Sequence, residues 1–223
     1  MIKDLFFRAK QNERLPLYFL LLLSCLFCFI ISLCRVYITA SPMFFLFLNK
    51  NLFLAFIPFA ISSYLLLFPE VKERKSVFFF WAFCWMIFFP NAPYIVTDLF
   101  HLKTRVDAAL WLDLGILFAF AWTGLMFGII SLMDMSEFFN EKVGAFFTNI
   151  GITFFLFLTG FGLYLGRYLR WNSWDIIHHP MELFGDILHR LLFPFDHPGT
   201  WGMTLLFGSL LNIIYWTIKV MRK

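Results

Sequence analysis

Asp98, His101, Arg167, Arg170, Trp171 and Asp175 are the residues whose types and spacing suit chemistry in a chain that is otherwise strongly apolar. Asp98 and His101 stand three apart, so on a helix a carboxylate and an imidazole share one face, fit to hold one proton or part of a metal shell. A metal needs further ligands, which Asp113, Asp175 or the later histidines would have to supply, and no metal is assigned. Arg167, Trp171 and Asp175 follow at intervals of four, with Arg170 and Trp174 beside them. A guanidinium fork at such a place binds phosphate or carboxylate bidentately. The same residues also suit a span terminus, with arginines snorkelling at a helix C-end and tryptophans in the interfacial belt. Asp113 lies about one turn inside an apolar run, where a lone carboxylate costs a few kcal/mol. It should face other helices and find a cation, and Arg167 or Arg170 is the expected partner.

The elements that must position these groups are set by composition. Of 223 residues, 61% are hydrophobic and only 14% charged, and the mean hydropathy is +0.78, whereas a soluble domain carries roughly a quarter charged residues. Apolar runs of bilayer length recur throughout, so the fold class is an all-α, polytopic membrane bundle forming one transmembrane domain over residues 1–223. Six spans are expected at about 15–34, 52–68, 77–96, 110–133, 143–166 and 200–218. The first continues too far for a signal peptide and is read as uncleaved. Asn49-Lys50-Asn51 breaks the stretch before the second span, and Pro58 within it favours a kink. Ser76 and Thr200 are suited to cap the third and sixth spans, and the segment between the fifth and sixth reads as interfacial helices and loops. The net charge of +4 comes from short basic clusters beside apolar spans. These set topology or meet lipid head groups, and no nucleic-acid site is read.

The third span is uninterrupted only to Phe89, too short to cross at 1.5 Å per residue. Pro90, Asn91 and Pro93 must complete the crossing, and the two prolines free backbone carbonyls that protein or water has to satisfy. Gly124 and Gly128 in the fourth span, and Gly162 and Gly166 in the fifth, have the spacing that lets helices approach closely, so these two spans are expected to touch. Cys25 and Cys28 have redox-motif spacing but lie mid-span without a second ligand pair, which favours core packing. With both termini cytoplasmic, eleven basic residues lie inside and seven outside, the sense of the positive-inside rule. All five histidines then fall outside, with Asp98, Asp113, Asp175, Asp186 and Asp196.

Four segments carry a resemblance. They are Asn51 to Pro58, Phe89 to His101, Asp113 with Ala119 to Gly124, and Gly162 to Asp175. Together they resemble a bacterial multi-spanning membrane family known as domain of unknown function 1361, over most of the chain from about Asn51 onward. The resemblance implies a bacterial inner-membrane location and a shared polar face. It implies no activity.

No nucleophile elbow, phosphate loop, HExxH helix or dinucleotide fingerprint is present, so neither a reaction nor a cofactor is assigned. Three functions remain. The first is an extracytoplasmic site for an anionic, phosphate-bearing lipid or cell-envelope ligand. The second is a structural or assembly partner of other membrane proteins, in which the polar residues would all be paired internally. The third is a small transporter or transporter subunit, suggested by the proline-broken third span.

Overall fold

In lipid, every backbone N–H and C=O must be satisfied within the protein, and a helix does so within one segment. The structure, a computed structural model, describes residues 2–39, 42–102 and 109–222. It is 90% helical with no strand among the described residues. Six helices are long and apolar enough to span a membrane: Leu15–Ile38, Leu46–Leu67, Lys75–His101, Leu110–Val143, Ala145–Tyr168 and Pro198–Met221. Ser41 of the first connector and the basic residues Lys103, Arg105 and Lys223 lie outside the described residues. Packing gathers the chain into two compact units, Met1–Asp134 and Met135–Lys223.

In the first unit, α1 (Ile2–Gln11) precedes α2 (Leu15–Thr39), α3 (Pro42–Leu67), α4 (Pro69–Glu73), α5 (Lys75–Phe88), α6 (Asn91–Tyr94) and the start of α7 (Leu110–Val143). A 3-10 helix, Ile95–His101, continues α6. Leu21 and Cys28 of α2, Leu52 and Phe59 of α3, Ala92 and Ile95 of the broken segment, and Phe120 and Phe127 of α7 share one core. Cys28 is fully buried there, and its thiol lies 3.5 Å from the Thr123 hydroxyl.

Three expectations are corrected in this unit. Asn49-Lys50-Asn51 does not interrupt the second span. α3 runs through it because Asn49 donates to the Ser32 hydroxyl and Asn51 to Asp98, so the polar side chains bind neighbouring elements. Ser76 does not cap α5, which begins one residue earlier with Arg74 at its N-cap and no side-chain cap bond. The fourth span does not stop near Met133. Asp134 and Ser136 look like a polar helix end, but both are buried, and α7 continues to Val143. Gly144, at φ +85°, then turns the chain directly into the next helix, a backbone conformation that glycine adopts without steric cost.

The proline pair breaks the third span as anticipated, and the freed groups are met by protein. The Asn91 amide donates to the Phe88 carbonyl at 2.9 Å, and the Thr97 hydroxyl to that of Tyr94 at 2.7 Å. This irregular stretch packs on the glycine face of α7: a Cβ at Gly124 would lie 2.5 Å from Ile95 Cγ2, and one at Gly128 would lie 3.0 Å from Ala92 Cβ. The close approach of Gly124 and Gly128 is to the broken third span. Two small residues four apart let this short α-helical turn and the 3-10 helix after it approach α7 closely.

α1 is held at the end of α3 by Arg8, whose Nη1 donates to the Leu67 carbonyl at 3.0 Å and to Glu70 at 2.9 Å, with the guanidinium over the Phe68 ring. The Glu70 backbone N–H, and then Arg8, hold its exposed carboxyl below the usual range. A carboxyl with a lowered folded-state pKa gives its stabilisation above the unfolded value and loses it as pH falls through the folded one. Proteolytic cleavage between α1 and α2 is thus expected to stay constant from neutral pH down to about 4, near the ordinary glutamate value, and to rise only below it. A rise beginning at pH 6 would show that another group latches α1.

In the second unit, α8 (Ala145–Tyr168) is followed by α9 (Asp175–His178), α10 (Pro180–Leu192), a 3-10 turn at Pro194–Asp196 and α11 (Pro198–Met221). α8 and α11 pack together through Gly160 and Gly208. Thr200 does not cap α11. The helix starts two residues earlier with Pro198, whose fixed φ and missing N–H suit a first helical position.

Candidate functional site

α2 carries or adjoins Arg14 and Arg35, and α7 carries Asp113 and Asp134, each pair 21 residues apart. At 1.5 Å per residue this is about 32 Å, close to the thickness of a bilayer core. The two helices run antiparallel, so Arg14 meets Asp134 at one end and Arg35 meets Asp113 at the other. Midway, the hydroxyls of Ser24 and Thr123 are 2.6 Å apart. Arg35 Nε donates to Asp113 Oδ1 at 2.5 Å and Nη2 to Oδ2 at 3.2 Å, with the two side chains only 2% and 7% exposed. The partner of Asp113 is thus Arg35, and not Arg167 or Arg170 as the sequence suggested. At its depth Asp113 does take a cationic partner, and the cation comes from the first span. Asp134 also accepts from the Ser62 hydroxyl at 3.2 Å.

Asp98 is buried and accepts from the Asn51 amide at 2.8 Å, while His101 is exposed and packs edge-on against Phe47. The 3-10 helix that carries them aligns residues three apart, as the sequence required, but directs Asp98 into the packing around α3. Pro90, Asn91 and Pro93 act as a repaired backbone break. Among the described residues no group of three or more His, Cys, Asp or Glu side chains is arranged to hold a metal ion.

In the second unit, the four-residue spacing of Arg167, Trp171 and Asp175 does not lie on one helix. α8 ends at Tyr168, and Arg170 takes a left-handed backbone at φ +63°, which lets the Trp171 amide reach back to the Leu165 carbonyl at 3.2 Å. Asp175 binds locally, accepting from the Asn172 backbone N–H at 2.7 Å while its own N–H donates to the Asn172 carbonyl. That reciprocal turn leads into α9, after the left-handed Arg170 has already broken the register of α8.

Trp171 points to a different cluster. Its indole N–H donates to Asp186 of α10 at 2.7 Å, and Asp186 also receives Arg190 Nη1 at 3.1 Å. Arg190 is 7% exposed and lies against the Tyr164 ring of α8. His189 beside it forms a 2.8 Å ring-nitrogen contact with His197, the N-cap of α11. On the opposite face of α9 and α10, Ile177, Met181, Phe184, Leu188 and Leu191 make an exposed stripe at helical spacing, the pattern of a helix lying in a membrane interface. Asp186 and Arg190 went unselected in the sequence, although their spacing of four on an amphipathic stretch is a visible helical ion-pair signal.

Comparison with curated proteins and with solved structures gave no significant match. The profile of the family described as "Protein of unknown function (DUF1361)" matches residues 50–214, which include the broken third span, Asp113 and Asp134, the Trp171 turn and most of α11. With most of its length so matched, this multi-pass chain belongs to the DUF1361 family.

Proposed function

We propose that this protein resides in the bacterial inner membrane with both termini in the cytoplasm, and that it binds an anionic, phosphate-bearing lipid or cell-envelope ligand on its extracytoplasmic side. The observation that supports the reading is the Trp171–Asp186–Arg190 cluster on α10, whose opposite face carries the exposed apolar stripe suited to a helix lying at head-group depth. Arg167 and Arg170, which precede Trp171 in sequence, supply the cationic groups, and Asp175 orders the turn that follows through Asn172. Lipid analysis of the protein purified from native membranes is expected to show one anionic species enriched over bulk lipid, and Trp171→Phe is expected to reduce the enrichment. A composition equal to bulk membrane would sink the reading.

A second reading, an assembly partner of other membrane proteins, is favoured by one observation. Asp98, Asp113 and Asp134, the buried carboxylates of unit 1, are all engaged by side chains of that unit. Copurification of a stoichiometric membrane protein in place of a lipid would select it.

A further inference from the structure

The start of α11 presents hydrogen-bonding groups that its own helix does not use. Its N-cap is His197, which makes no side-chain cap bond, and its first residue is a proline. Helix N-termini carry about half a unit of positive charge and leave their first amides without intrahelical acceptors. Alone this would signify little. Thr200, however, is fully buried in the first turn, and its hydroxyl finds no hydrogen-bond partner among the described residues. The same holds for the buried indole nitrogen of Trp201 and for Nε of Arg190. Leaving a buried polar group unsatisfied costs about 1–3 kcal/mol, and more for a charged group, so these three atoms call for acceptors.

Packing ties Arg190 and the first turn of α11 to one stretch of α8. The Arg190 guanidinium lies 6.0 Å from the Tyr164 ring centre, and a Cβ on Gly199 would lie 3.8 Å from Cε2 of that same ring. Trp201 packs on Phe161, one turn earlier on α8. The His189–His197 contact ties the last turn of α10 to the N-cap of α11. Asp186 is already shared between Trp171 and Nη1 of Arg190, which holds the guanidinium by one edge and leaves the Nε edge for another acceptor. Asp196, the other nearby carboxylate, is exposed in the 3-10 turn.

We propose that the first turn of α11 and the last turn of α10 form a seat for a phosphate group, which accepts hydrogen bonds from Arg190 Nε, Trp201 Nε1, the Thr200 hydroxyl and the Gly199 amide. All four groups can donate, and together with the helix end they match a tetrahedral oxyanion. The proposal rests on the anionic-ligand reading above and names the chemical group recognised. That group is either the head group of a lipid or free inorganic phosphate.

The test uses the full chain in a phosphate-free neutral detergent. Native mass spectrometry measures retention of phosphatidic acid, and equilibrium dialysis measures inorganic phosphate. The variants are Thr200→Val, Trp201→Phe and Arg190→Lys, with Lys10→Gln of α1 as a charge control and thermal unfolding as a folding check. About tenfold weaker phosphatidic acid retention in Thr200→Val and Arg190→Lys, with Lys10→Gln unchanged, is the expected result. The same losses for inorganic phosphate, with no lipid retained, support the seat and overturn the lipid source. Equal lipid retention by wild type and all three seat variants overturns the seat while the broader reading stands. Binding of neither probe by the wild type overturns both. Should Arg190→Lys not fold, the two neutral variants decide.

Discussion

Replacing Asp113 with alanine is expected to destabilise the folded protein by about 3–5 kcal/mol, the usual cost of leaving one member of a buried ion pair uncompensated. Arg35 is 1% exposed, so it cannot turn to water when its carboxylate is removed. It is also held in a two-point contact, which a water molecule in an apolar bundle would not replace. Arg35→Ala should cost a similar amount. The double replacement Arg35→Met with Asp113→Leu should recover most of the loss, since packed apolar residues of similar size often substitute for a buried pair without penalty. Thermal unfolding in detergent of the wild type, Arg35→Met, Asp113→Leu and the double variant provides the cycle, and a coupling energy above about 1 kcal/mol is expected for residues in direct contact. Additive losses would show that the pair does not clamp α2 to α7. The Arg14–Asp134 pair at the other end should behave alike, because Asp134 is fully buried and its partner nearly so.

Gly160→Ala is expected to cost about 1–3 kcal/mol, the range for overpacking a tight interface. The new Cβ would lie 2.7 Å from the Thr204 carbonyl oxygen and 2.9 Å from the Gly208 nitrogen. Both are backbone atoms of α11, so relief requires one helix to move from the other. Gly151→Ala on the same helix is the matched comparison, as its Cβ would meet nothing within 4 Å. There the substitution should be neutral or slightly stabilising, since alanine exceeds glycine in helix propensity by about 1 kcal/mol. Equal unfolding temperatures for the two variants would show that α8 and α11 do not depend on this approach. Because α11 carries Thr200 and Trp201 on its first turn, Gly160→Ala should also weaken retention of any ligand seated there.

The helices and the broken third span were legible because they depend on local causes. Twenty or so apolar residues must become a span whatever packs beside them, and Pro90 and Pro93 remove donors in any context. Even Gly124 and Gly128 were correctly singled out as a close-packing face. What they meet, Ala92 and Ile95, was not evident, since the spacing of small residues gives a helix's capacity for close approach without naming the neighbour. The extent of α7 was misjudged for a related reason: Asp134 resembles a helix end until Arg14, 120 residues away, is seen to neutralise it.

By itself, the sequence determined that the protein is an all-helical, multi-pass membrane chain, that its third span is interrupted, and that Asp113 requires a cation. Each follows from the cost of burying a polar group or a broken backbone in lipid, which is a property of the residue and its depth. Only the tertiary structure decided that Arg35 is that cation, that Trp171 binds Asp186 instead of continuing a face with Asp175, and that Arg190 lies against Tyr164 of α8. The pairing of Arg14 with Asp134 and of Arg35 with Asp113 left a trace, the shared spacing of 21 residues, yet spacing cannot say which helices are adjacent. Adjacency comes from how whole apolar faces fit together, and that fit is set by many side chains at once.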